Sequence, residues 1–330
     1  MMDVALWTGN GGTQTISGLG FSPDFVWLKK RSGAADHYLY DQVRGATYRL
    51  YSNTTDAEST SATGLNAFTS DGFTLGSAID VNQSSNTYVA WTWDAGSSTV
   101  TNTQGSITST VRANATAGFS VVTYTGNLTS GATVGHGLGV APSLILVKCR
   151  SNAAGWLVYH GSLGATKYLA LEGTAAAATY SGAWSDTSPS STVFSVGYNS
   201  SVNFTRTYVA YCFAPVVGYS SFGSYTGNGS SDGPFVYTGF RPKFVLVKNI
   251  TTAGTFWGIM DSARDPYNAG GRLLYPNSSI AEEDYTTSYP DDFLSNGFKP
   301  RNAGTVFNSS GSTYIYAAFA ESPFNYARAR

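Results

Sequence analysis

Lys29, Lys148 and Lys248 close three similar stretches, SPDFVWLKKR (22–31), APSLILVKCR (141–150) and RPKFVLVKN (241–249). A lysine recurring at one place raises amine chemistry, which needs a depressed pKa and an acid or carbonyl pocket beside it. No acidic residue keeps a fixed offset from all three lysines. The stretch therefore reads as architecture, a lysine laying its methylenes on an aromatic neighbour and sending its ammonium to water. Asp41 and Arg44 in YDQVRG match Asp261 and Arg264 in MDSARD, while His160 and Leu163 take those places in the middle copy. Such a spacing makes a local ion pair or an Asx-type cap. These four residues are also the loop candidates for a ligand contact. Glu58 and Glu282 correspond, with Ala177 between them in the series; they read as solvated loop carboxylates, since general acid chemistry needs a second carboxylate at matched distance. His37, His136 and His160 fall at different repeat positions, and no G-x-S-x-G elbow occurs, so no nucleophile is assembled. His37 fills the slot of Trp156 and Trp257 and is expected to replace a packing aromatic. No H-x-x-x-H, C-x-x-C or calcium-loop pattern is present. No catalytic residue, cofactor or metal is expected.

The elements that would position these residues recur in register. Upstream stand WTGN (7–10), YTGN (124–127) and YTGN (225–228); GLGF, GLGV and TGF precede the prolines. Downstream come HYLYD, WLVYH and WGIMD, then RLYSN, YLALE and RLLYPN. Each copy then has a strand at Gly72–Leu75, Val193–Val196 or Gly297–Phe298, and closes on YVAWTW, YVAYCF or YIYAAF. Landmarks in one order three times define an internal triplicate. Phe25 and Trp27 point one way and Val26 and Leu28 the other, so the proline-led stretch reads as a central strand covered on both faces. Strand signals spaced about ten residues apart, punctuated by Gly, Asn, Asp and Ser, predict an all-β chain of three tandem jelly-roll-like antiparallel β-sandwich repeats. The copies are placed at 1–96, 119–216 and 217–330. Residues 97–118, rich in Ser and Thr, read as a linker with an entry strand within Ser106–Val111. The shorter, more apolar Pro215–Gly223 predicts tighter packing between copies two and three. The copies are expected either around a pseudo-threefold axis or as beads on a rod.

Composition narrows the partners. The 330 residues carry a formal charge of −1 with only 12% charged, and no basic cluster offers a nucleic-acid face. No apolar run reaches the length of a membrane span, and no basic-then-apolar leader opens the chain. Cys149 and Cys212 lie in strand-like runs and read as two buried free thiols. With 22 Tyr, 18 Phe and 7 Trp, aromatics exceed what three cores of this size need. Tyr and Trp surfaces suit sugar stacking and protein interfaces alike.

GLGFSPDFVWLKKR, HYLYDQVRG, SDGFTLG and NTYVAWTWDAG resemble a repeat domain of structural proteins of tailed phages, marine and cyanobacterial phages above all, and the ending STYIYAAFAESPFNYARAR is similar to the close of their fibres. The resemblance covers all three copies. It implies concanavalin-like sandwiches in a non-enzymatic virion protein: a tail fibre, a tail appendage or a capsid-surface decoration, synthesised in the host cytoplasm. The partners it implies are other virion proteins, host surface glycans and further copies of the chain. Fibres of this kind open with a docking segment, whereas copy one starts within the first ten residues, so docking is expected through a sandwich face or another protein. The alternative is a lectin-like module binding host glycans through loops lined by Tyr and Trp.

Overall fold

The computed structural model describes residues 1–288 and 290–322, so the SPFNYARAR close lies outside the described residues from Pro323 onward. The described chain is built of antiparallel strands, with only two single-turn helices, Ile79–Asn82 and Ser181–Trp184.

One strand order occurs three times. The opening strand (Met2–Thr8, Phe119–Thr125 or Ser220–Thr226) pairs with the closing strand (Thr87–Trp93, Thr207–Phe213 or Thr313–Ala320). The closing strand pairs with the proline-led strand (Phe25–Lys30, Leu144–Cys149 or Pro242–Asn249), and that strand with the next (His37–Asp41, Leu157–His160 or Trp257–Asp261). The first and last strands of a copy are thus neighbours, and the proline-led strand is central, as its two apolar faces predict. Smaller sheets of two or three strands, such as Gln14–Ser17 with Gly72–Leu75 and Leu65–Thr69, accompany each large sheet.

The recurring motifs have identical local causes. Trp7, Tyr124 and Tyr225 stack on Tyr88, Tyr208 and Tyr314 across the opening and closing strands, with ring centroids 5.3, 5.1 and 5.0 Å apart. The glycine of each TGN turn abuts backbone: a Cβ on Gly9, Gly126 or Gly227 would lie 2.2–2.3 Å from the carbonyl oxygen of Gln83, Phe204 or Ser309. A buried asparagine holds each turn, since the side-chain oxygens of Asn82, Asn203 and Asn308 accept the backbone N–H of Asn10, Asn127 and Asn228. These asparagines recur in the same register, yet their loops differ so much in sequence that the reading above missed them.

Each large sheet is apolar on both faces, and the faces enter different cores. In copy one Val26, Leu28, Tyr40 and Ala90 pack toward Phe73 and Leu75 of the small sheet. Copies two and three have equivalent cores around Trp184 and Phe298. The opposite faces of all three large sheets meet in a fourth core, which takes Phe25, Trp27 and Trp91 from copy one, Leu144, Trp156 and Tyr211 from copy two, and Phe244, Trp257 and Phe319 from copy three. At its centre Trp93, Phe213 and Phe319, which occupy one repeat position, contact one another edge to face at 5.8, 5.6 and 5.8 Å. Equivalent residues that touch pairwise define a pseudo-threefold axis, and the rod of beads is excluded.

Two expectations change. Residues 97–118 carry the expected entry strand, at Ser109–Asn114, and more than a linker: Thr99–Asn102 pairs with it as a hairpin, its second strand pairs with Phe119–Thr125, and the copy-two sheet reaches eight strands. Arg112 of that hairpin reaches back to Asp24 at 2.6 Å. Copies two and three are not set apart by their short connection, because all three copies meet in the shared fourth core.

Candidate functional site

The repeated polar residues lie at the junctions between copies. In each, the loop after Tyr48–Tyr51, Lys167–Ala170 or Arg272–Leu273 of one copy rests on the loop that follows the proline-led strand of the next. Carbonyl oxygens of Thr55, Thr174 and Ser279 accept backbone N–H groups of Ala154, Gly254 and Ala35 at 2.8, 2.9 and 2.9 Å. The order runs from copy one to two, two to three, and three to one.

The lysines complete this contact. Lys148 Nζ donates to the same Thr55 carbonyl at 3.2 Å and to Cys149 O at 2.9 Å. Lys29 donates to Ser279 O and Lys30 O, and Lys248 to Thr174 O and to Thr255. All three residues are wholly buried. The expectation that their ammonium groups reach water is therefore wrong: the fourth core and the neighbouring copy close over the strand end. Desolvation lowers each ammonium from its ordinary value to about 8. That shift arises from burial within a cage of carbonyl oxygens.

The aromatic after each lysine loop acts across the same boundary. Trp156 Nε1 donates to Tyr51 O at 2.8 Å, and Trp257 Nε1 to Ala170 O at 3.0 Å. In copy one His37 stands there, as a replacement for the indole. Its Nδ1 accepts from Trp27 Nε1 at 3.0 Å, which puts the proton on Nε2, facing the backbone of Tyr275 without a hydrogen bond of good geometry. Burial holds the His37 ring neutral.

Asp41, Arg44 and Glu58 form one network. Arg44 Nε donates to Asp41 Oδ2 at 2.5 Å, Nη1 to Glu58 Oε2 at 2.8 Å, and Nη2 to Leu39 O and to the Tyr211 hydroxyl of copy two. Tyr211 in turn donates to Asp41 at 2.8 Å, and Arg150 of copy two binds Glu58 in a two-point fork at 3.0 and 2.9 Å. Desolvation acts upward on Glu58, but Arg150 and Arg44 together hold it below the usual carboxylate range. The junction from copy three to copy one repeats the pattern. Arg264 joins Asp261 and Glu282, Arg31 forks onto Glu282, and Trp91 Nε1 donates to Asp261 at 2.9 Å.

The third junction loses the whole set together. His160, Leu163, Ala177 and Ile250 stand for the aspartate, the first arginine, the glutamate and the second arginine, and Ala177 N still donates to Ile250 O at 3.0 Å. His160 Nδ1 accepts from Ser162 N, so Nε2 carries the proton and donates to Tyr316 O of copy three at 3.1 Å. Burial pushes the ring down to about 4, leaving it neutral at physiological pH. The absence of the ion pair from copy two thus marks one apolar junction among three.

Asp41, Arg44, Asp261 and Arg264 have no solvent-exposed side-chain surface. The next copy covers them, and their polar groups are engaged by one another and by its Tyr211 or Trp91. Glu58 and Glu282 are junction residues too, and not solvated loop carboxylates. The surplus of aromatics has the same explanation: all seven tryptophans are buried, several of them in the fourth core. A sugar-binding loop lined by Trp is therefore corrected. Tyr and Phe do reach the surface, with Tyr267 83% exposed, Tyr237 65% exposed and Phe235 beside it. Cys149 and Cys212 are free and buried, and His136 is held between Ser190 O and Leu138 N. Among the described residues no three His, Cys, Asp or Glu side chains converge on a metal position, and no helix is long and apolar enough to cross a membrane.

The chain belongs to a family described as Domain of unknown function (DUF7483), whose match runs over residues 1–323. That span includes all three copies and the hairpin between them, the unit that the ring closes. No curated protein and no solved structure matches the chain.

Proposed function

We propose that the chain is a non-enzymatic structural module of a tailed-phage virion, three tandem jelly-roll-like sandwiches closed into one body that serves assembly and host attachment. The closed ring carries this reading. The recurring lysines, the Asp41–Arg44 and Asp261–Arg264 pairs and Glu58 and Glu282 are all used where one copy meets the next, a design that fixes one arrangement of the copies and leaves none of these groups free in a cleft for turnover. Three divergent surfaces then surround one invariant scaffold, and function lies in the loops that differ. The partners are other virion proteins at the tail or capsid surface. Mapping the neighbours of the chain in intact particles by cross-linking or electron microscopy tests it; absence from purified particles would refute it.

A second reading is a lectin-like module, favoured by the exposed Phe235–Tyr237 pair and Tyr267, which offer ring faces beside polar loops. Glycan-array binding by the folded protein, abolished by Tyr237→Ala or Tyr267→Ala, would support it.

A further inference from the structure

Copy three carries an acid where copy one carries a core leucine. Asp291 pairs with Pro300 in the small sheet as Leu65 pairs with Leu75, and both are buried, Asp291 being 2% exposed. Its Oδ2 has no hydrogen-bond partner, and Oδ1 has only the Asn302 amide at 3.5 Å. An unpaired buried carboxylate is costly, so a site that retains one calls for a counter-charge or a proton.

Asp291 lines a small cavity with Asp261, Asp265, Asn268 and Phe293, with a volume of about 10 Å³, room for one water-sized occupant. The other polar groups differ in what they can still offer. Asp261 is committed to Arg264 and Trp91, and the Asn268 amide to both backbone groups of Phe293. Asp265 Oδ2 accepts the N–H groups of Gly271 and Arg272, while its Oδ1 has only the Arg272 guanidinium at 3.7 Å. Arg272 also faces Asp284, and neighbouring Asp292 faces Arg301 at 3.6 Å. The oxygens left over are therefore Asp291 Oδ2 and Asp265 Oδ1.

We propose that this cavity takes one calcium-like divalent cation, held by Asp291 and Asp265. Calcium takes oxygen ligands in an irregular shell, and the main chain of Gly270 and Gly271 lines the same cavity beside the two carboxylates. Burial and the neighbouring acids raise the Asp291 carboxyl well above its ordinary range, the condition that a bound cation reverses.

The test uses the full chain, treated with chelator and titrated with calcium chloride, followed by calorimetry and thermal unfolding. Wild type is expected to bind one ion per chain and to gain several degrees of stability. Asp291→Asn, which keeps the shape, and Asp291→Leu, which copies Leu65, are expected to lose both effects, whereas the exposed control Asp186→Asn keeps them. Absence of calcium heat and of any shift in wild type would overturn the proposal and make Asp291 a neutral buried acid, with Asp291→Asn then at least as stable as wild type. A shift that survives in Asp291→Leu would also overturn it.

Discussion

Removing Arg44 should cost far more than replacing the whole network around it. Arg44→Met leaves the Asp41 carboxylate buried beside Tyr211 with its counter-ion gone, and leaves Leu39 O without its donor. Breaking one partner of a buried pair costs about 3–5 kcal/mol, whereas exchanging the complete set for apolar groups is often neutral. The third junction supplies that exchange: Asp41→His, Arg44→Leu, Glu58→Ala and Arg150→Ile, with Tyr211→Phe to remove the stranded hydroxyl. Urea midpoints followed by tryptophan fluorescence and circular dichroism would measure both variants. The single variant should lose about 3–5 kcal/mol and the combined variant less than about 2 kcal/mol. A combined loss equal to the sum of the single losses would refute the view that the set acts as one interchangeable unit.

Other outcomes follow from the same geometry. Trp93→Ala should destabilise all three copies together by about 3–5 kcal/mol, as one cooperative shift in a chemical-denaturation curve, because its ring touches both Phe213 and Phe319. Residues 1–96 alone should self-associate in size-exclusion chromatography, since Phe25, Trp27, Trp91 and Trp93 lose their cover; a monodisperse folded monomer would contradict the shared core. The three lysines are lowered to about 8 in the folded chain and stand near about 10.4 unfolded, so the unfolded state binds more protons between those values. Stability should therefore rise from about pH 8 to about pH 9, and Lys→Met at all three positions should flatten the rise; at higher pH the Cys212 thiol and the buried tyrosines such as Tyr124, Tyr211 and Tyr225, all raised by burial, turn it downward.

The amino-acid sequence alone determined the triplicate, the strand class and the central place of the proline-led strand. Each rests on local rules: a period of two, a proline confined to strand entry, and turn residues at fixed offsets. It also showed three of the positions that change together at one junction, His160, Leu163 and Ala177, and carried the fourth, Ile250, unrecognised. What those positions do depends on which copy faces which, and that is a property of packing. Lys29, Lys148 and Lys248 looked solvated because a strand end normally meets water. Only the ring, by bringing a neighbouring carbonyl over each ammonium, buries them. The same closure absorbs the tryptophans that seemed available for a ligand, since three sheets with two apolar faces each require a fourth core that no single copy contains.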